Sequence, residues 1–354
     1  MHLGLIPDDT AEWKALASGR VPVPFLETHW GFALARAVMA GAKLGVFESL
    51  ALHAASASEV ASRCQTDPSA TRKLLIALAG AGYLHFHEDR YALTPKARKW
   101  LLASSPGSLV DAVLFAFDVW ELMEHIEDYV RSGTPITLHA HMTDHQWELY
   151  QRSMGALAGQ TAQEVARAIP VPHGANDMID IGGSHGYYSV ALCRRHSALR
   201  STVLDLPEAI AAAAPLLAAE KMGQRVVHQE ADALVYDYGI ETYDLVLLSN
   251  VAHHFSASEN ADLFRRLGRA LRPGGVFAVI EPIRVEIGDG AGQFAALGEL
   301  YFGLTSRSGT WTASELVGWQ ADAGLDCLSP LSELSGGSLS LQIATKPGGG
   351  DAPS

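Results

Sequence analysis

The sequence predicts an α/β protein in two parts. A mostly parallel sheet with helices on both faces occupies the C-terminal half, and a mostly helical module of winged-helix order precedes it. Three observations predict this. From residue 176 onward, short apolar strand candidates alternate with helical stretches. A glycine-rich turn within "MIDIGGSHGYYSVALCRRH", Met178–His196, joins the first of those strands to a helix. Upstream, three helical stretches run into two short strands around a charged turn. The 354 residues suffice for two or three domains, and with 48% apolar and 18% charged residues the chain can bury a sizeable core.

Residues 1–27 carry few periodic signals and are expected to form an N-terminal arm. The helical module spans 28–108. Trp30, Leu34 and Val38 recur at i, i+4 spacing, and Leu44 and Phe47 continue the apolar face. In "SASEV", Glu59 follows Ser56 by three residues, a capping box that opens a short helix. Asp67 can cap the next helix, Pro68 suits its first turn, and Gly80 and Gly82 end it. "YLHFHEDRYALT" then reads as a β-hairpin. A module of this order can bind DNA or serve as a dimerisation domain. Its candidate recognition helix offers only Arg72 and Lys73 for phosphate contacts, and the chain carries a formal net charge of −13. A homodimer through this module is therefore expected, with no nucleic acid as partner. The N-terminal helices also carry more apolar surface than a small module should leave uncovered.

Residues 109–175 are expected to be a helical linker. Two long amphipathic runs, Leu109–Val130 and His145–Ile169, flank the loop "RSGTPITLHAHMTDH". The loop holds His139, His141 and His145, but no acidic or thiolate partner stands at a ligand spacing, so a solvent-facing loop is expected rather than a metal site. The three cysteines, Cys64, Cys193 and Cys327, form no CxxC and are expected as buried small hydrophobes in a reducing compartment. No apolar run approaches the ~18–20 residues of a membrane span, and no basic n-region precedes an apolar block at the start. A cytoplasmic location without membrane contact is the expectation.

The α/β half is assigned to 176–346, with a disordered tail over 347–354. Its strand candidates are Met178–Ile181, Thr202–Leu204, Arg225–His228, Asp244–Leu248, Val276–Glu281 and Ser338–Thr345. The glycines at 182, 183 and 186 run G-G-x-x-G, which departs from the dinucleotide fingerprint. They still allow close backbone approach to a ligand at a helix N-terminus. Taken alone, such a turn can also be purely structural. Asp205 closes the second strand, "VLDLP", about 20 residues past the turn, where an acid can accept both ribose hydroxyls. Asp232, in "QEADAL", follows the third strand where an adenine amino group would be reached. Each acid has a plainer alternative as a loop carboxylate capping the next helix.

Next comes "YDLVLLSNVAHHFSASENADLFRRLGRALRPGGVFAVIEPIRV", an apolar strand running into paired histidines, a long helix, "LRPGG", and a strand ending in Glu281. With "DIGGSHG", "VLDLP" and the N-terminal module, this resembles a class I S-adenosylmethionine-dependent methyltransferase with a Rossmann-like sheet. More narrowly, it resembles the caffeic acid/hydroxyindole-type small-molecule O-methyltransferases, over about residues 28–346. The resemblance implies that Gly182 and Asp205 hold S-adenosylmethionine, with Leu206 beside the adenosine and Asp232 and Ala233 at the adenine. It implies S-adenosylhomocysteine as product and no metal. Ser249 stands where the family often has a Lys or Arg contact to the cofactor. His253 corresponds to the catalytic histidine and Glu281 to the glutamate behind it.

A histidine suits the chemistry. A phenol has a pKa near ~10, so a base within hydrogen-bond reach can take its proton as the oxygen attacks the sulfonium methyl. A carboxylate behind the imidazole holds its tautomer. The departures from the family are His254 in place of Asp, Asn250 in place of Trp, and Thr310 near the place of a second backing Glu. Glu299 stands where relatives carry Asp and is an alternative second support for the base. Tyr150, Met154, Asn250, Phe302 and Trp311 are candidates for the acceptor wall, and are equally the residues of a helical core. Two functions follow. One is O-methylation of a small aromatic or polycyclic natural product with His253 as general base. The other is a relative that methylates nitrogen, or that uses the bound sulfonium as an electrostatic prop in decarboxylation, hydroxylation or pericyclic chemistry.

Overall fold

The computed structural model describes residues 3–284, 292–328, 331–334 and 339–348, apart from the side chains of 140 and 141. Two expectations lie partly outside these residues: the tail beyond 348 and the start of the last strand at Ser338. The chain divides into two compact units, one ending at Val119 and the other beginning at Trp120.

In the first unit, residues expected as an arm form a helix, α1 (Thr10–Ala17), because Asp9 accepts hydrogen bonds from the Ala11 and Glu12 N–H groups and so caps its start. A short α2 (Val23–Phe25) follows, and a π-turn over Leu26–Trp30 leads into α3 (Gly31–Lys43). Then come α4 (Val46–Ser49), α5 (Ala57–Cys64) and α6 (Pro68–Gly80). The Ser56/Glu59 capping box and the Asp67 cap form as expected. The hairpin β1 (Leu84–His87) and β2 (Arg90–Leu93) turns through Glu88 and Asp89, both at positive φ. Thr94 caps α7 (Pro95–Trp100). The core joins Phe47, Leu50, Leu75, Leu78, Tyr91 and Leu101. Trp30, Phe32 and Leu34 remain 59%, 49% and 48% exposed. α8 (Val110–Met123) crosses the division.

The second unit holds α9 (Ile126–Ser132), α10 (Asp144–Ala168), β3 (Asp177–Ile181), α11 (Tyr187–Arg195), β4 (Arg200–Asp205), α12 (Pro207–Ala219), β5 (Val226–Glu230), β6 (Tyr243–Ser249), α13 (Ala257–Ala270), β7 (Leu271–Glu281), α14 (Gln293–Thr305), α15 (Ala313–Asp322), β8 (Asp326–Cys327), β9 (Ser332–Glu333) and β10 (Ser340–Thr345). The sheet order is β5-β4-β3-β6-β7-β10-β8, with β9 also on β10. β3 to β7 pair in parallel, and β10 is antiparallel to β7. The strands read as unbroken apolar runs because both faces are covered. Met178, Val203, Leu245, Leu247, Ala278 and Ile280 point to one core, shared with α10 and α11. Their chain neighbours Ile179, Leu204, Val246, Leu248, Phe277 and Val279 point to the other, under α13 and α15. Truncating fully buried Phe264 of α13 to Ala would cost about 3–5 kcal/mol. β4 and β6 flank β3 on opposite sides, so the strand order reverses there and a crevice opens at the carboxyl ends of these strands.

Two expectations are corrected here. Only Cys193 is buried; Cys64 is half-buried and Cys327, on edge strand β8, is exposed. His139 does not face solvent but lies among aromatic rings, as described below. Among the described residues, no helix is long and apolar enough to cross a membrane.

Candidate active site

The glycine turn follows β3. Gly182 is left-handed, at φ +63°, and its N–H donates to the Leu204 carbonyl at 2.7 Å. A Cβ at 182 would stand 2.2 Å from Val251 Cγ2, so no side chain fits. The turn then folds over Asp180, whose carboxyl carbon would lie 2.5 Å from a Cβ at 183. Asp180 Oδ2 accepts from Ser189, while buried Oδ1 has no partner. Burial pushes this carboxyl up to about 7, against the Ser189 hydrogen bond and with a further push from Asp205. Three contacts that sequence reasoning missed clamp the turn. Ser184 donates to Gln151 of α10, His228 of β5 bonds the Ser184 carbonyl at 2.8 Å, and His185 Nδ1 accepts the Tyr187 N–H at 3.1 Å at the start of α11. The helix α10 is thereby tied to the glycine turn at the carboxyl end of β3.

Asp205 ends β4 beside this turn. Burial raises its carboxyl to about 6, opposed by the Leu206 and Ser184 N–H groups. Leu206 next to it is 43% exposed. Asp232, after β5, is exposed and accepts the Leu234 N–H at 2.8 Å, and Ala233 is buried beside it. A bare turn, a helix N-terminus and two acids at successive strand ends fit an adenosine cofactor with a positively charged portion.

The second half of the site sits at the ends of β6 and β7. Buried Ser249 accepts from Asn250 Nδ2 at 3.1 Å. Asn250 takes φ +55°, a conformation Asn tolerates better than most residues, and its N–H bonds the Ile280 carbonyl at 2.8 Å. The chain then makes a single 3-10 turn, Ala252–His254. Glu281, at the end of β7 and 1% exposed, holds that turn. Its Oε1 accepts the Val251 and Ala252 N–H groups at 2.6 and 2.7 Å, and its Oε2 meets His253 Nδ1 at 2.8 Å. A carboxylate only accepts, so Nδ1 carries the hydrogen and Nε2 keeps its lone pair. Trp311 and Asn260 donate to the Ala252 carbonyl at 2.8 and 2.9 Å. Trp311, expected as acceptor wall, thus braces the histidine turn.

Phe302 lies with its ring centroid 4.7 Å from that of His253. Glu299, on the same helix, bonds Thr310 rather than His253. Its carboxyl is raised by burial, with Arg284 opposing and Glu315 adding. Tyr150 and Met154 share a face of α10 one turn apart, both half-buried. Burial, together with Tyr301 and Asp205, keeps the Tyr150 phenol protonated far above neutral pH. His139 stacks on Trp147 at 5.2 Å and meets Tyr150 at 5.0 Å and His254 at 5.1 Å, with His254 4.2 Å from His253. Burial and His253 push His139 down to about 4, and burial with both other imidazoles holds His254 well below its usual range. Among the described residues, no group of three or more His, Cys, Asp or Glu could hold a metal ion.

A doubly wound sheet with a bare nucleotide turn, two crevice acids and a carboxylate-held imidazole defines the class as a cofactor-binding α/β enzyme. The model of the O-methyltransferase domain matches residues 124–315, and that of the O-methyltransferase dimerisation domain matches 26–103. The chain belongs to this O-methyltransferase family. It is 27% identical over 317 residues to a 3-hydroxy-5-methyl-1-naphthoate 3-O-methyltransferase of Streptomyces sahachiroi, covering 86% of this chain and 89% of the relative. It is 26% identical over 321 residues to the acetylserotonin O-methyltransferase of Mus musculus, covering 84% and 82%. The fold is shared with human N-acetylserotonin methyltransferase in complex with SAM, at a TM-score of 0.81 and 18% identity over 97% of this chain and 100% of that one.

Proposed function

We propose that this methyltransferase moves the methyl group of S-adenosylmethionine to a hydroxyl of a small aromatic or polycyclic natural product, with His253 as general base. The observation that carries this reading is the 2.8 Å contact between His253 and Glu281, with both groups buried at the crevice rim. The donor supplies an already activated methyl when bound, so the protein need only deprotonate and align the acceptor. Gly182, Asp205, Leu206, Asp232 and Ala233 hold the donor, with Ser249 at the same end of β6. Asp205 accepts ribose hydroxyls, and its carboxylate favours a cationic ligand. His253 Nε2 takes the hydroxyl proton as the oxygen turns nucleophilic, and Glu281 stabilises the resulting imidazolium. Tyr150, Met154, Asn250 and Phe302 flank the acceptor. Named relatives that methylate hydroxyls of aromatic metabolites support the acceptor class. The N-terminal unit, whose family model is a dimerisation domain and whose Trp30, Phe32 and Leu34 lie exposed, pairs with a second copy.

The test uses S-adenosylmethionine labelled in its methyl group and a panel of hydroxylated aromatics, beside His253→Ala. Label on an acceptor oxygen, lost in the variant while donor affinity stays, supports the transfer and the base together. Turnover of an acceptor without loss of label from the donor would instead establish the donor as an electrostatic prop.

A further inference from the structure

We propose that His139 and His254 form a neutral acceptor subsite beside the base, which recognises a second uncharged oxygen, a hydroxyl or carbonyl adjacent to the hydroxyl that is methylated. This rests on the methyl-transfer reading of the site and narrows its acceptor to a neutral ortho- or peri-dioxygenated aromatic.

The geometry begins with an unmet need. His139 Nε2 is buried without a hydrogen-bond partner. Such a group is costly unless something satisfies it on binding. The ring is held in place by its stack on Trp147 and its edge contact with Tyr150, so the nitrogen is presented by a rigid wall. His254 bridges the gap to the base, with ring centroids 5.1 Å from His139 and 4.2 Å from His253. A flat acceptor whose reacting hydroxyl meets His253 therefore carries its neighbouring substituent toward His254 and His139. A hydroxyl can satisfy a neutral imidazole nitrogen in either tautomer, as donor or acceptor, and a carbonyl can accept from it.

The same surroundings disfavour an anionic substituent. Both imidazoles stay neutral at pH 7 and supply no positive charge. The buried carboxylate of Glu281 already lies behind His253. Arg284, three residues further on, is committed to Glu315 and the Thr310 carbonyl. A carboxylate placed here would be desolvated next to a like charge.

The experiment measures acceptor binding to the protein saturated with S-adenosylhomocysteine, by calorimetry, so that it needs no turnover. The probes are 2-naphthol, 2,3-dihydroxynaphthalene and 3-hydroxy-2-naphthoate. The diol is expected to bind about tenfold more tightly than either of the others, the worth of one satisfied hydrogen bond. In His139→Phe, which keeps the ring stack, the preference for the diol over 2-naphthol should shrink to within about twofold. His139→Gln, which keeps a donor and an acceptor, should retain most of it. A separate titration of each ligand-free variant with S-adenosylhomocysteine reports that it is folded. Equal binding of diol and mono-ol, tighter binding of the naphthoate, an undiminished preference in His139→Phe, or no binding of the diol at millimolar concentration would each overturn the proposal. If the preference holds but labelled donor transfers no methyl to any bound probe, the subsite stands and the methyl-transfer reading falls.

Discussion

Replacing Glu281 with Gln separates the charge of that carboxylate from its shape. Glu281 accepts three hydrogen bonds, two from the Val251 and Ala252 N–H groups and one from His253. A glutamine keeps one oxygen for the two backbone donors, so the 3-10 turn stays closed. Its amide nitrogen then faces His253 Nδ1, which can satisfy that donor only by giving up its own hydrogen. The hydrogen moves to Nε2, and the lone pair that should take the acceptor proton disappears. Losing the charged hydrogen bond alone removes about 1.5–3 kcal/mol from the developing imidazolium, a factor of roughly 10–150. The wrong tautomer adds to this, as it does for carboxylate-to-amide changes in serine-protease triads, where the total reaches about 10⁴. The expected result is a kcat lowered by about 10²–10⁴ with donor affinity within twofold of wild type. Glu281→Ala should differ in kind. It strands two buried N–H groups at about 1–3 kcal/mol each and should lower the melting temperature as well. Single-turnover transfer of labelled methyl, beside thermal unfolding of each variant, makes the comparison. A Glu281→Gln enzyme retaining more than half the wild-type rate would refute the role argued for this pair.

Further outcomes are expected. Gly182→Ala combines a left-handed backbone with a Cβ 2.2 Å from Val251, and should lose roughly 2–4 kcal/mol and most donor binding. Gly159→Ala, in open space on α10, should stabilise by about 0.5–1 kcal/mol, and calorimetric melting of the two tests the contrast. Asp205→Asn should weaken the donor at least tenfold at pH 7.5 by titration calorimetry, and wild-type affinity should fall as pH drops through about 6, where the carboxyl gains its proton. The sign for stability is opposite. A carboxyl raised above its unfolded value contributes stability that is fully present below about pH 4 and lost as pH rises through about 6, so Asp205→Asn should melt higher than wild type at pH 8 without ligand. Trp30→Ser with Phe32→Ser should halve the mass seen by light scattering at micromolar concentration, and an unchanged mass would remove the first unit's exposed face from the dimer.

What could be read from sequence was local. The Ser56/Glu59 box, the Asp67–Pro68 helix start, the glycine turn and the acids closing β4 and following β5 are each written within a few neighbouring residues, and each stands where expected. The contact between His253 and Glu281 joins residues 28 apart and followed from family resemblance, because no period or cap encodes it. The remaining contacts were harder to read for the same reason. His139 looks like a loop residue until the rings of Trp147, Tyr150 and His254 close around it. Ser184 gives no sign that Gln151 will hold it from another helix, and Trp311 reads as a pocket aromatic although its indole N–H is committed to the Ala252 carbonyl. α1 was missed because a single Asp cap stands before a stretch with little periodicity.

The two halves of the chemistry are held in different ways, and this bears on how such a site can change its acceptor. β6 and β7 pair in register, with Ser249 opposite Ile280, so Glu281 lies one residue beyond the last ladder pair and beside the histidine turn. The proposed base and its carboxylate are thus set by sheet hydrogen bonds buried on both faces, and the proposed donor acids by the ends of β4 and β5 in the same sheet. The proposed acceptor wall has a different origin. His139 comes from a 3-10 turn, Tyr150 and Met154 from the first half of α10, and Phe302 from α14, all outside the sheet. Substitutions there can alter the ring that is admitted without moving the atoms that deprotonate it. Gln151 is the exception, since it lies between Tyr150 and Met154 yet bonds the glycine turn. Changes at 150 and 154 should therefore move acceptor KM, whereas Gln151→Ala should move donor affinity, and steady-state kinetics with each substrate varied in turn would tell the two apart.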